Sequence, residues 1–287
     1  MRPVQRELIE WWSREGRDLP WRRSRDPWAV LVSELMLQQT QVSRVTERYV
    51  RFLERFPTVV ECAAAPVGDV IDEWAGLGYN RRAVHLHRTA VRCVEHHDGA
   101  LPDTLTELLD LPGVGPYTAR AVLVFAHERD IGLVDTNAGR FVARALAGRP
   151  LPAKEAQAVA DAAVPGGWGW TWGQAVFDLG ASVCRKRAPR CGDCPIRLHC
   201  AWATAGFRTP DPIDGSAGIS ARQSRFDGSD RQGRGRLVDA MRAGPVEHDA
   251  LAAVMGWPDD QARAARVAAG LVADGLAVVE RDRYRLP

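Results

Sequence analysis

Four cysteines lie within seventeen residues, in the string CRKRAPRCGDCPIRLHC, and their side chains are suited to hold a metal group. One tight C-x2-C pair is flanked by wider arms of six and five residues. A single structural zinc ion is usually held by two tight pairs, whereas four thiolates around an iron–sulfur cluster accept this wider pattern. A [4Fe–4S] cluster is therefore predicted, with zinc as the alternative, on four ligands: Cys184, Cys191, Cys194 and Cys200.

Two carboxylates stand in strings where acid chemistry is plausible. Glu34 lies in the apolar helical string VLVSELML, and Asp135 lies in VDTN, directly before a helical stretch. Burial would raise the pKa of a glutamate and let it act as a general acid, whereas an ionised aspartate would stabilise a developing cation. Glycosidic bond cleavage uses two carboxylates in this way. The structural alternatives are a solvated glutamate and a helix-capping aspartate.

Two glycine-rich turns separate helical strings. LPGVGPYTA joins two apolar helices, and its backbone N–H groups at Gly113, Val114 and Gly115 can face a phosphate beside the following helix N-terminus. We interpret it as a helix-hairpin-helix, which contacts the DNA backbone without reading sequence. The second turn is GLGYN, in which Tyr79 is either a core residue or a ring that enters a base stack.

Helical periodicity dominates the chain from residue 28 to about residue 207, so the fold is expected to be mostly α. Residues 209–232 are rich in Pro, Gly, Ser and Arg and are predicted to be a linker. After it, three helical strings and two short strands predict a winged-helix-like domain over 233–287, with Arg263, Arg266, Arg281 and Arg283 available for DNA.

Composition limits the chemistry and the surroundings. Lys154 and Lys186 are the only lysines among 38 basic residues, which nearly excludes Schiff-base catalysis. The net charge of +2 restricts nucleic-acid binding to a local patch. The N-terminus has no signal-peptide pattern and no apolar run is long enough to span a bilayer, so a cytoplasmic, nucleoid-associated protein without membrane contact is expected.

Together, the cysteine segment, LPGVGPYTA and SELMLQQT resemble the helix-hairpin-helix DNA glycosylases, and within them the adenine DNA glycosylases of the MutY type. The resemblance runs from about residue 19 to residue 202. It implies a six-helix barrel over 28–132, a cluster-bearing subdomain formed by 1–27 and 133–208, and an active site in the cleft between them. The expected partner is double-stranded DNA with a mismatch or an oxidised base, bound by a monomer.

The resemblance also implies roles for individual residues. Glu34 would protonate a flipped adenine at N7, and Asp135 would stabilise the oxocarbenium ion, with Tyr117 and Asn137 supporting them. Endonuclease III-type relatives have a nucleophilic lysine at the position of Tyr117, so a monofunctional glycosylase is expected. The implied DNA-contacting residues are Arg17, Arg22, Gln38, Gln39, Tyr79, Gly113, Val114 and Gly115.

Two departures from the family pattern leave alternatives open. GLGYY is usual, but this chain has Asn80 after Tyr79. Many members recognise 8-oxoguanine with a Nudix-like domain, and residues 233–287 are expected to be too few to form one. The alternatives are a thymine or uracil mismatch glycosylase of the same superfamily and a non-catalytic iron–sulfur DNA-binding regulator.

Overall fold

A computed structural model describes residues 1–216 and 225–287, and helices dominate it. The first six helices precede the predicted helix-hairpin-helix, which joins α7 to α8. The helices are α1 (Pro3–Glu15), α2 (Pro27–Leu37), α3 (Val42–Arg55), α4 (Val59–Ala64), α5 (Val67–Glu73), α6 (Arg81–His96), α7 (Leu105–Leu109), α8 (Pro116–Phe125), α9 (Thr136–Phe141), α10 (Ala153–Ala163), α11 (Gly169–Ser182), α12 (Ala201–Thr204), α13 (Asp230–Ala243), α14 (Leu251–Met255) and α15 (Gln261–Ala273).

The described chain divides into two compact units. Unit 1 contains residues 1–30, 103–109 and 114–216, and unit 2 contains residues 31–102, 110–113 and 225–287. The mostly helical fold predicted from the periodicity is confirmed.

Unit 1 is held by an apolar core between α1, α9, α10 and α11. The rings of Phe141 and Trp172 meet edge to face at 5.7 Å between centroids, and Leu8, Leu179 and Ile196 are buried beside them. Three of the clustered cysteines pack against the rim of this core, at positions 184, 194 and 200. The cysteine segment therefore packs directly against the core that the apolar helix faces form.

Unit 2 contains α3 to α6, with Phe52 and Trp74 in edge-to-face contact at 5.9 Å in its core. The start of α2 belongs to unit 1 and is capped by Asp26, whose carboxylate accepts from the backbone N–H groups of Trp28 and Ala29. The remaining two cysteines, Cys62 in α4 and Cys93 in α6, are buried. Burial raises the pKa of Cys62 to about 12, which keeps that thiol protonated.

The C-terminal module, residues 230–287, also belongs to unit 2. Its helices α13, α14 and α15 are followed by strands, and Leu237, Met255 and Leu271 are buried among them. The predicted two-stranded wing is wrong by one strand: β1 (Val246–Glu247) pairs with β3 (Arg283–Arg285), which also pairs with β2 (Val278–Glu280). Two residues are too short a run to show strand alternation in the sequence.

Domain boundaries differ from those predicted. Residues 114–132 group with unit 1 because α8 packs on α11, where Tyr117 and Phe125 both contact the ring of Phe177. The C-terminal module groups with the helices of unit 2. The predicted linker, 209–232, extends over residues 217–224, which lie outside the described residues. Within the described ranges, the helices fall short of the length and apolar character that crossing a membrane requires.

Candidate active site and DNA-contacting turns

Asp135 lies at the N-terminus of α9 in unit 1. Its Oδ1 accepts from the backbone N–H groups of Asn137 (2.8 Å) and Ala138 (2.7 Å), and its Oδ2 accepts from Asn137 Nδ2 (3.0 Å). The helix-capping alternative is therefore correct as a geometry. Burial raises the pKa of Asp135, while these three donors and nearby Arg140 oppose the rise by favouring the ionised carboxylate. Two predicted site residues, Asp135 and Asn137, are thus brought into direct contact.

The Arg140 side chain holds the Asn137 side chain in place. The Arg140 guanidinium donates to Asn137 Oδ1 (2.7 Å), to the carbonyl oxygens of Gly180 (2.7 Å) and Thr136 (2.6 Å), and to that of Cys184 (3.0 Å). Gly180 is required at this point, because a Cβ there would lie 2.7 Å from Asn137 Cβ. The network joins the carboxylate to the backbone of the first clustered cysteine. Nothing in the sequence marks Arg140 for this task, since all its acceptors but one are backbone oxygens.

One position of the helix-hairpin-helix turn requires glycine. Gly113 has φ +77°, and a Cβ there would lie 2.6 Å from His85 Cβ, so a side chain is excluded on two grounds. Gly115 has φ −90°, an ordinary value, and is the N-cap of α8. No described protein atom lies within 4 Å of the place of a Gly115 Cβ. Such a backbone can approach a phosphate closely at the N-terminus of a ten-residue helix.

Val114 and Tyr117 flank the start of α8. Val114 is buried and anchors the turn, whereas Tyr117 is partly exposed and its ring lies 6.4 Å from that of Phe177. Tyr117 and Asp135 both belong to unit 1. Its supporting role stays a prediction.

Glu34 lies in the last half of α2 and is 7% exposed, so the solvated alternative is wrong. It belongs to unit 2, whereas Asp135 belongs to unit 1. Ser33, its neighbour in the sequence, is buried too. The burial of a carboxylate in this apolar helix has a cost that needs polar partners or a function.

Two left-handed turns in unit 2 carry Gln39 and Tyr79, at φ 55° and φ 47°. A single guanidinium joins them. Arg82 donates to the carbonyl oxygens of Met36 (2.9 Å) and Gln38 (2.7 Å) in the first turn, and to that of Gly78 (2.8 Å) in the second. Burial lowers the pKa of Arg82 to about 10, and it remains a cation at neutral pH. The predicted DNA-contacting residues Gln38, Gln39 and Tyr79 are thereby brought together.

The clustered cysteines lie near one another at the edge of the unit 1 core. Burial raises the pKa of Cys194 to about 12, and the charges of its three cysteine neighbours add to the rise. Arg144 Nη1 lies 3.6 Å from Cys184 Sγ and can donate to it. In the described ranges, no three His, Cys, Asp or Glu side chains are arranged to ligate one metal ion. Four neighbouring sulfurs with a cationic donor fit the wider spacing and negative charge of an iron–sulfur cluster.

Arg17 and Arg22 have an internal partner. The carboxylate of buried Asp178 accepts from Arg22 Nη1 and Nη2, each at 2.8 Å, and from Arg17 Nε at 2.6 Å. Burial opposes ionisation of this carboxyl, but the two guanidinium groups lower the pKa of Asp178. The contact of these two arginines with DNA stays a prediction, and the structure gives both a task in holding the N-terminal segment on α11.

Three of the four arginines proposed for DNA contact in the C-terminal module form ion pairs. Arg263 and Arg266 both bind the Asp230 carboxylate, at 2.8 and 2.9 Å, and Arg283 binds Glu247. Sequence reasoning missed the residues that organise the turns and the carboxylate, Arg82 and Arg140. Their one signal is position, three residues after Tyr79 and three after Asn137, which alone cannot be told from a surface arginine.

Comparisons with known proteins first define the class. Residues 32–164 match the HhH-GPD superfamily of base excision DNA repair proteins. The structure of a thermostable thymine-DNA glycosylase is similar with a TM-score of 0.64 at 27% identity, covering 70% of this chain and 94% of that one. An endonuclease III in a non-covalent DNA complex shares the fold, with a TM-score of 0.60 at 20% identity, covering 73% of this chain and 100% of that one. Fold and hairpin together define a helix-hairpin-helix protein of base excision repair.

Sequence relatives narrow this class. The adenine DNA glycosylase of Mycolicibacterium smegmatis is 43% identical over 283 residues, which cover 96% of this chain and 93% of that protein. The adenine DNA glycosylase of Mycobacterium tuberculosis H37Rv is 39% identical and covers 98% of this chain and 92% of that protein. The chain therefore belongs to the adenine DNA glycosylase family, as the resemblance predicted.

Proposed function

We propose that this protein is a monofunctional adenine DNA glycosylase. It hydrolyses the N-glycosidic bond of an adenine mispaired with 8-oxoguanine or guanine in double-stranded DNA. The observation that carries the proposal is the carboxylate of Asp135, held by three N–H donors at the N-terminus of α9 in a chain 43% identical to an adenine DNA glycosylase. A binding protein has no use for an acidic group facing the phosphates of DNA.

The reaction starts with adenine flipped out of the duplex, where protein groups reach its edge. Glu34 donates a proton to N7 of the base. The bond between C1′ and N9 then breaks, its electron pair goes to the neutral departing adenine, and the sugar becomes an oxocarbenium ion. The Asp135 carboxylate stabilises this cation, and water attacks C1′ and gives up a proton, leaving an abasic site.

Tyr117 and Asn137 serve the two acids. Asn137 Nδ2 donates to Asp135 Oδ2 and so favours the ionised carboxylate that the cation needs. Tyr117 stands in α8, where a lysine would give the β-lyase activity of endonuclease III-type enzymes. The hydroxyl of a tyrosine is no amine, so strand cleavage through a Schiff base is not expected.

DNA is held through the turns described above. The N–H groups of Gly113, Val114 and Gly115 take a phosphate, and Gln39 and Tyr79 fill the space that the flipped base leaves in the stack. Arg17, Arg22 and Gln38 complete the proposed contacts. The turns that carry Gln39 and Tyr79 have left-handed backbone and are held by Arg82. Their fixed conformation next to ordered helices supports this assignment.

Cys184, Cys191, Cys194 and Cys200 would hold a [4Fe–4S] cluster. When bound, it supplies a rigid link between four thiolates and no step of hydrolysis. The exposed basic residues beside these cysteines, Arg185 and Arg187 among them, can then meet phosphates from a fixed segment. Metal and acid-labile sulfide analysis of the purified protein tests this: about four irons and four sulfides per chain are expected from a cluster of that type. One zinc without iron would contradict it.

The activity test uses five duplexes that carry one adenine opposite 8-oxoguanine, G, C or T, or one T opposite G. The purified protein is incubated with each, and abasic sites are cleaved with alkali. Adenine release opposite 8-oxoguanine or G is expected, and the ratio of the two rates measures lesion preference. Release from the T·G duplex alone would make the protein a thymine mismatch glycosylase. Tight binding without release from any duplex would make it a non-catalytic regulator.

A further inference from the structure

The C-terminal module is packed on the helices of unit 2. The Arg242 side chain in α13 is 11% exposed, donates to the Ile71 carbonyl oxygen at 2.9 Å, and lies 3.7 Å from the Asp72 carboxylate. Arg81 in α6 lies 3.5 Å from Asp274 in the module. The Arg242 contacts place α13 beside α5, and residues of α13 line one cavity together with the two left-handed turns that carry Gln39 and Tyr79.

A cavity of about 890 Å³ lies where α13 faces those turns. Its charged lining residues are mostly cations. Both acids in the lining already have partners, since Asp274 binds Arg81 and Arg234, and Asp239 binds Arg242. The surplus of positive charge attracts a phosphodiester chain. The charged lining consists of six arginines, among them Arg231, Arg234 and Arg242, and the two acids Asp239 and Asp274.

At the edge of this cavity the module contacts Tyr79 directly. Arg231 Nη1 donates to the Tyr79 hydroxyl oxygen at 3.1 Å. Tyr79 is 41% exposed, and the ring centroid of Phe226, which is 55% exposed, lies 5.8 Å from the Arg231 guanidinium carbon. One cation from the C-terminal module thus contacts two exposed aromatic residues that line the same cationic cavity.

We propose that Arg231 is a positioning residue, which holds the Tyr79 ring in the orientation that enters the DNA base stack. The C-terminal module is then a working part of the site that contacts DNA, and its effect passes through Tyr79. Fixing a side chain before binding reduces the conformational entropy lost on association. This inference rests on the proposed function for the use of Tyr79, and it adds the residue that sets its orientation.

The test measures ring insertion separately from base release. The duplex carries 2-aminopurine next to the base opposite the adenosine, and 2′-fluoro-2′-deoxyadenosine replaces that adenosine, because fluorine at C2′ destabilises the oxocarbenium ion and prevents turnover. Unstacking by the inserted ring changes 2-aminopurine fluorescence. The full-length wild type is compared with Arg231→Ala, Arg231→Lys, Tyr79→Phe and the double variant Arg231→Ala with Tyr79→Phe. Arg285→Ala removes one positive charge elsewhere in the module and is the matched control.

Arg231→Ala is expected to weaken the fluorescence response and, on the matching duplex without fluorine, to slow single-turnover adenine release by about five- to tenfold, the size of one ordinary lost hydrogen bond. Arg231→Lys restores much of both, since lysine can donate to the hydroxyl. The double variant behaves as Tyr79→Phe alone, because the phenylalanine ring has no acceptor. Equal responses for Arg231→Ala and Arg285→Ala, or additive effects in the double variant, would overturn the proposal. Absence of adenine release by the wild type would instead overturn the proposed function, and the fluorescence still tests the ring.

Discussion

At the scale of single residues, the chemistry depends on two acids in different environments. Glu34 is buried in an apolar helix, and Asp135 is surrounded by N–H donors. A general acid must hold a proton before the reaction, while the residue that stabilises a cation must have lost one. The donors around Asp135 belong to the second task.

Replacement of Glu34 by glutamine removes the proposed proton donor with little change in shape. Base release from an A·8-oxoguanine duplex should fall by about 10²- to 10⁴-fold, the usual contribution of general acid catalysis. The dissociation constant for the same duplex should change little. Single-turnover kinetics and fluorescence anisotropy measure the two quantities. Glu54→Gln, at an exposed position of α3, is the control, and near wild-type release by the Glu34 variant would remove Glu34 from the mechanism.

Asn137→Ala should move the pH dependence of base release. Burial already raises the pKa of Asp135, and Asn137 opposes the rise by donating to the ionised form. Without that donor the pKa rises further, so protonation begins at higher pH and the acid limb of the rate profile shifts to higher pH.

The measurement is the single-turnover rate between mildly acidic and mildly basic pH. Thr136→Ala, an exposed neighbour on α9, serves as the control and should keep the wild-type midpoint. An acid limb that coincides with that of the wild type would show that Asn137 does not tune this carboxylate.

At the scale of elements, one buried ion pair holds the N-terminal segment on α11. Asp178 accepts from Arg17, Arg22 and the indole N–H of Trp12. Asp178→Asn leaves Arg22 buried without a counter-charge and should lower the free energy of unfolding by about 3–5 kcal/mol. Chemical denaturation measures this, with the exposed pair of Asp18 and Arg23 as the comparison: Asp18→Asn should leave stability unchanged.

The same pair predicts a pH dependence. The pKa of Asp178 is lower in the folded than in the unfolded chain, so its contribution is complete above the unfolded pKa and is lost as pH falls through the folded one. The loss of unfolding free energy caused by Asp178→Asn should therefore become smaller in strong acid. If this loss were the same at every pH, the Asp178 side chain would stabilise the fold by packing and not by its charge.

At the scale of the whole molecule, the net charge of +2 understates the charge that DNA would meet. Arginines are concentrated around the cavity of unit 2, while many others form ion pairs inside each unit. Arg242 shows how this distribution also builds the unit, since its guanidinium holds α13 on α5 through the Ile71 carbonyl oxygen.

Arg242→Ala should lower the free energy of unfolding by about 0.5–1.5 kcal/mol, because it removes a part-buried hydrogen bond to the Ile71 carbonyl oxygen, which keeps the Trp74 N–H as its other donor. Amide hydrogen exchange should rise in α5 and α13 and stay unchanged in α11, which belongs to unit 1. Arg285→Ala is the control for a charge lost from the same module. Unchanged exchange in α5 would show that Arg242 does not join the module to these helices.

The sequence by itself determined the helical architecture, the family and the positions where chemistry is expected. These features can be recognised from residue spacing, because helical periodicity, the C-x6-C-x2-C-x5-C pattern and LPGVGPYTA are local along the chain. Local capping was foreseeable for the same reason, as Asp26 and Asp135 show.

Only the tertiary structure decided which arginines organise the turns and which are internal partners. Arg82, Arg140 and Arg231 bind atoms that are mostly backbone oxygens or lie far away in sequence, as the 152 residues between Tyr79 and Arg231 show. Arg22 looks like a DNA contact until a carboxylate 156 residues away is seen beside it. An arginine side chain has the same composition in a buried ion pair, a loop clamp or a phosphate contact, and its partners are fixed by folding alone.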